Sequence, residues 1–207
     1  MEMTEGGLRE QGKAQRRIRI LDATRQLLRD RPESVISTER IAERAEVSPA
    51  TVYNLVGPRE KIWEALAAGF MDELEQRLAA QGDGGPREVV RSTVGLFVDD
   101  PVVSSRMVRE WEESGLALGR SPLTQLRRAM AETRTQGVLR ADVDTDALAA
   151  TVATSCVGAL HQWVAGLIDD GRFLKRSLFA VDVALAAAAS DACRDELIAP
   201  LLARDTA

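Results

Sequence analysis

Five of the seven prolines, Pro49, Pro58, Pro86, Pro101 and Pro122, stand at the start of stretches whose apolar residues recur every three to four positions. At the first position of a helix the missing N–H costs nothing and the ring already holds φ near the helical value; inside a helix the same ring breaks it. Pro32 closes the first such stretch. Period-two runs of β-branched residues are absent, and Ala, Leu, Glu and Arg dominate. The chain is expected to be all-α, a series of helices cut to length by proline and glycine.

The periodicity places a first helix over about 15–29, with Ile20, Leu21, Thr24, Leu27 and Leu28 on one side. Residues 1–12 read as a frayed, glycine-containing tail. Ser37 or Thr38 caps a short second helix holding Ile41, Ala42 and Ala45. Glu46-Val47-Ser48 makes a tight connection, and Ser48 caps a third helix from Pro49 to about Leu55. A fourth helix runs from Pro58 to Gln81 with Ile62, Trp63, Leu66, Phe70, Leu74 and Leu78 at helical spacing, and Trp63 is expected to pack between two modules. The break at 82–86 is the clearest turn in the chain. Further helices are expected at about 86–98, 101–118, 122–136, 145–168 and 173–199.

Composition excludes several classes. No apolar run approaches the roughly 18–20 residues needed to cross a bilayer, and the N-terminus has no apolar core of a secretory signal. Two cysteines make no disulfide framework, so a reducing cytoplasm is the default setting. A single histidine removes most metal and triad chemistry. Cys156, Cys193 and His161 lack zinc spacing. Cys156 and His161 sit five apart, pointing roughly 140° from each other on a helix, so they make no nucleophile–base pair. Asp142, Asp144 and Asp146 alternate without the glycine and terminal glutamate of a calcium loop, and helix capping is the simpler account of them. The chain is expected to be no enzyme and to need neither metal nor cofactor.

The net charge of −5 argues at first against nucleic acid, but its distribution is uneven. Residues 1–61 carry twelve Lys/Arg against ten Asp/Glu, and the remainder fifteen against twenty-two. A mildly basic front and an acidic rear suggest two modules with different partners. The stretch 37–60 then reads as two short helices joined by a three-residue turn, with small Ala42 and Ala45 inward: a helix-turn-helix. A plain helical hairpin would look similar. The hydroxyls of Thr38, Ser48, Thr51 and Tyr53, the cluster Lys13, Arg16, Arg17 and Arg19, and Arg59 at the start of the fourth helix favour a phosphate-binding surface.

These segments resemble the TetR family of transcriptional regulators. The resemblance rests on Ile20-Leu21-x-Ala23-Thr24-x-x-Leu27-Leu28, Thr38-x-x-Ile41-Ala42-x-x-Ala45, Val47-Ser48-x-Ala50-Thr51-Val52-Tyr53 and Arg59-Glu60-x-Ile62, with Gly137-Val138-Leu139-Arg140-x-Asp142-Val143-Asp144 farther on. It implies an N-terminal three-helix DNA-binding domain over 1–62 and a C-terminal helical effector-binding and dimerisation domain over 63–207. It also implies that Thr38, Thr51, Tyr53 and Arg59 contact phosphate, with Ser48 beside them, and that Pro49, Ala50, Thr51, Asn54 and Leu55 face the major groove. Glu46 stands where the family usually has glycine; in a left-handed conformation it would cost about 1 kcal/mol. Glu39 lies near the expected DNA surface, where its charge opposes phosphate.

The rear helices carry apolar residues on more than one side, enough for an internal core and for a second copy of the chain. Phe97, Met107, Trp111, Leu126, Met130, Cys156, Leu160 and Trp163, with His161, are the candidate lining of an apolar effector pocket, although ordinary core explains each one singly. The implied function is a ligand-responsive, homodimeric repressor of a palindromic operator in double-stranded DNA, released by a small apolar or amphipathic effector, with no membrane involved. The competing reading is a helical small-molecule- or protein-binding module that does not touch DNA.

Overall fold

Residues 5–31, 35–82, 84–114 and 121–202 are described by the computed structural model. Their helices are α1 (Glu5–Asp30), α2 (Thr38–Arg44), α3 (Pro49–Leu55), α4 (Arg59–Gln81), α5 (Gly85–Asp99), α6 (Pro101–Ser114), α7 (Pro122–Thr135), α8 (Thr145–Val164), α9 (Asp170–Ala188) and α10 (Arg194–Leu202). Among the described residues there is no strand, and one isolated antiparallel bridge joins Leu139 to Ala189. No helix there is long and apolar enough to cross a membrane. The all-α expectation holds.

The chain forms two compact units, one of Met1–Phe70 with Asp100–Leu118, the other of Met71–Asp99 with Gly119–Ala207. In the first, Ile20, Ala23, Leu27 and Leu28 of α1 meet Ile41, Ala42 and Ala45 around α2, Val52 of α3, Ile62, Trp63 and Leu66 of α4, and Val103 and Met107 of α6. Trp63 therefore belongs to the interior of this unit. Full burial of a side chain the size of Leu28 or Val52 contributes about 1.5–3 kcal/mol, so this cluster fixes α2 and α3 against α1. In the second unit, α5 packs on α7 and α9, α8 on α7 and α9, and α10 on α9. Phe173 is buried at its centre, stacked on Trp163 at 5.5 Å and met edge-on by Phe97 at 6.4 Å. The buried carboxylate of Asp182 on α9 is paired with Arg87 of α5.

Several boundaries differ from the sequence expectation. α1 begins at Glu5, so the expected tail is helical from there; Lys13 and Glu10 pair along it at 2.7 Å. α8 stops at Val164 because Gly166 takes a φ of 71° and Leu167 N–H returns to the Gln162 carbonyl at 2.9 Å, a glycine-terminated helix end. The expected helix over 173–199 is two helices. The segment around Val138–Arg140 pairs with the chain at 188–190: Arg140 N–H donates to Ala188 and Ser190 N–H to Val138, at 3.0 and 2.9 Å. Those bonds take the backbone out of the helix at Ala189 (φ −55°, ψ 139°). Pro200 consequently sits within α10 rather than just after a helix. Of the expected sixth helix, the part at 115–118 lies outside the described residues.

Candidate nucleic-acid interface

The α2–α3 pair is built from its caps inward. Ser37 is the α2 cap, its hydroxyl accepting Arg40 N–H at 3.4 Å. The Glu39 carboxyl lies below the usual range because its own backbone N–H and the Ser37 hydroxyl donate to it. That carboxylate stays charged at the front of α2, as its position in the sequence suggested. After α2, Val47 N–H reaches the Ala42 carbonyl at 2.9 Å while Glu46 takes a φ of 55°. The turn thus uses the left-handed conformation that glycine adopts at no cost, and Glu46 adopts it with strain of about 1 kcal/mol. Ala42 and Ala45 are buried, which lets α2 and α3 approach closely.

Ser48 then caps α3. Its Oγ accepts Thr51 N–H at 3.1 Å and lies 2.9 Å from Thr51 Oγ1. Both hydroxyls are thereby engaged in starting the helix. At 100° per residue, Pro49, Ala50, Tyr53 and Asn54 fall on one arc, and all four are exposed, Tyr53 by 63%. Val52 faces the opposite way and is wholly buried. Thr51 is half-buried at the edge of the arc. Leu55 does not share the arc: three residues on from Val52, it turns the same way and packs half-buried against the core of the first unit. Its expected place in the groove is corrected on that ground. Thr38, on α2, is also half-buried.

One contact was missed in the sequence. Arg17 Nη1 of α1 donates to the Leu55 carbonyl at 3.0 Å, supplying a partner to an oxygen that the end of α3 leaves unpaired. In the sequence Arg17 stands in the basic cluster with Arg16 and Arg19, which gave no sign of a bond to α3. α3 itself carries no charged residue, so any reading of bases by it rests on hydrogen bonds and apolar contact. Arg59, expected on phosphate, is exposed but donates from Nη2 to Glu110 Oε1 of α6 at 2.8 Å.

The candidate effector-lining residues are divided between the units. Met107 is buried in the core of the first, and the side chain of Trp111 lies outside the described residues. In the second unit Phe97, Leu126, Met130 and Trp163 are buried, Cys156 and Leu160 half-buried, and His161 exposed. Trp163 Nε1 donates to Asp170 at 2.7 Å. Phe97 and Trp163 share one aromatic cluster through Phe173. Burial pushes the Cys156 thiol above its ordinary value, keeping it protonated and poorly nucleophilic. Among the described residues no group of three His, Cys, Asp or Glu is arranged to hold a metal.

Two short helices at a tight turn, backed by an apolar core and presenting one uncharged outer arc, define a helix-turn-helix DNA-binding domain. Residues 20–55 match the family model of the bacterial regulatory proteins, tetR family. No curated protein matches the chain. Its fold resembles that of SmeT, the repressor of the Stenotrophomonas maltophilia multidrug efflux pump SmeDEF, with a TM-score of 0.62 and 23% identity over 86% of this chain and 92% of that one. It also resembles RolR in complex with the ligand resorcinol, with a TM-score of 0.55 and 18% identity over 94% of this chain and 96% of that one.

Proposed function

We propose that the chain is a cytoplasmic, ligand-responsive repressor that binds a palindromic operator as a homodimer and is released by a small apolar or amphipathic effector. The observation that carries this reading is the exposed arc of Pro49, Ala50, Tyr53 and Asn54 with Val52 buried behind it. Such an arc, laid in the major groove, offers the Asn54 amide to adenine and the Ala50 methyl to the thymine methyl. Tyr53, with Thr38 and Arg59 at the margins, would fix the register on phosphate.

Dimerisation is supported by apolar residues left exposed on α8 and α9, namely Val157, Phe179 and Val183. A homodimer also suits the two half-sites of a palindromic operator, about 34–36 Å apart. The effector would bind among the apolar residues of the second unit, around Phe97, Leu126, Met130 and Trp163, and α4, whose halves fall in the two units, is the element suited to pass the change on. An effector acts only by favouring one conformation over another.

A duplex enriched by the chain from a random-sequence pool tests the reading in a mobility-shift assay. Tyr53→Ala should weaken binding on every sequence, whereas Asn54→Ala should change which sequence is preferred. Enrichment of no sequence, or binding unaltered by Tyr53→Ala, overturns it.

A further inference from the structure

Arg59 and Arg106 share one acceptor. Arg59 Nη2 of α4 and Arg106 Nη2 of α6 donate to the same oxygen, Glu110 Oε1, at 2.8 and 2.9 Å. The Glu110 side chain is only 10% exposed, that of Arg59 43%. All three residues belong to the first unit, which also holds the helix-turn-helix.

We infer that Glu110 is a positioning residue that competes with DNA phosphate for Arg59, so that α6 sets how many phosphates the domain can hold. The inference rests on the DNA-binding reading above. Two features make Arg59 the exchangeable member. Glu110 and Arg106 are four residues apart on one helix, so their pair forms without any second element. Arg106 also has a buried Nε–H with no partner, a donor in reserve for the carboxylate when Arg59 leaves. Removing Arg59 from Glu110 therefore does not strand a buried charge, the event that makes most buried pairs costly to break. Arg59, the first residue of α4, is the more exposed partner and can exchange a carboxylate for a phosphate of the same charge sign. A movement of α6 that carries Glu110 away from Arg59 releases one cation to DNA; the return of Glu110 to the observed pairing withdraws it.

The test is the salt dependence of binding to a mixed-sequence duplex, which reads the number of phosphates neutralised without knowledge of the operator. Glu110→Gln frees Arg59 and should tighten binding roughly five- to tenfold near 0.1 M salt, steepening the slope of log K against log salt by about 0.9. Arg106→Gln removes the donor that competes with Arg59 for Glu110 Oε1 and should shift both quantities the other way. In the Arg59→Gln background, Glu110→Gln should have no further effect. An unchanged slope in Glu110→Gln, with or without a loss of thermal stability, marks a purely structural ion pair and overturns the inference while leaving the DNA-binding reading intact. Failure of the unsubstituted chain to bind duplex at any salt overturns both.

Discussion

Arg17 and Leu55 are joined across 38 residues by one hydrogen bond, Nη1 to the main-chain oxygen at 3.0 Å, which ties the middle of α1 to the end of α3. α3 is only seven residues long, too short to be stable by itself, so its orientation depends on such ties and on Val52. Arg17→Gln should cost roughly 0.5–1.5 kcal/mol of stability in the first unit. It should raise amide exchange in α3 while leaving α8 and α9 unaffected. Hydrogen exchange resolved by segment checks this, and protection of α3 unchanged from the unsubstituted chain would contradict it.

Glu46 is the one non-glycine residue with positive φ among the described residues. Glu46→Gly should relieve about 1 kcal/mol of left-handed strain, offset in part by the greater freedom of glycine in the unfolded chain. The net expectation is a gain of a few tenths to 1 kcal/mol, or a Tm higher by about 1–3 °C for a chain of this size. Calorimetry at matched protein concentration decides it; a lower Tm would show that the Glu46 side chain contributes more than its backbone costs.

Cys156 carries a pH prediction. Its folded thiol value is raised by burial, so the folded state holds the proton more tightly than the unfolded chain does. The associated stability is fully present below the ordinary thiol value of about 8.5 and is lost as the pH rises from there through the folded value. Cys156→Ala should flatten the fall in denaturation midpoint between neutral and alkaline pH. Equal slopes in both proteins would remove the thiol as its cause.

Phe179 tests the proposed pairing of copies. Exposed on α9 near Val183, it should become intolerable at an apolar interface once charged. Phe179→Glu should shift the chain towards monomer in analytical ultracentrifugation, with little loss of helix by circular dichroism. A dimer of undiminished stability would place the interface elsewhere.

Local chemistry was legible wherever local chemistry decides the structure. Ser48 and Pro49 announced the start of α3, and Ala42, Ala45 and Val52 its packing side, because caps and helical periodicity act within a few residues. The Asp144 cap of α8, which accepts from Asp146 and Ala147 N–H at 3.0 Å, belongs with them. The break at Ala189 was not legible, because an alanine-rich run has no internal stop; a segment fifty residues earlier imposes it. Gly166 could have been read as the end of α8 but lay inside an apolar pattern that ran on to Ile168. For the site, exposure along α3 followed from helical geometry, which also turned Leu55 inward. The partners of Arg17 and Arg59 did not follow, since each lies on another helix and no spacing rule links them.

The absence of charge on α3 separates the strength of binding from the choice of sequence. Cations on flanking helices would set how tightly any duplex is gripped, and only neutral groups would judge its sequence. Concentrated electrolyte should then loosen all complexes in parallel while the order of favoured targets stays the same.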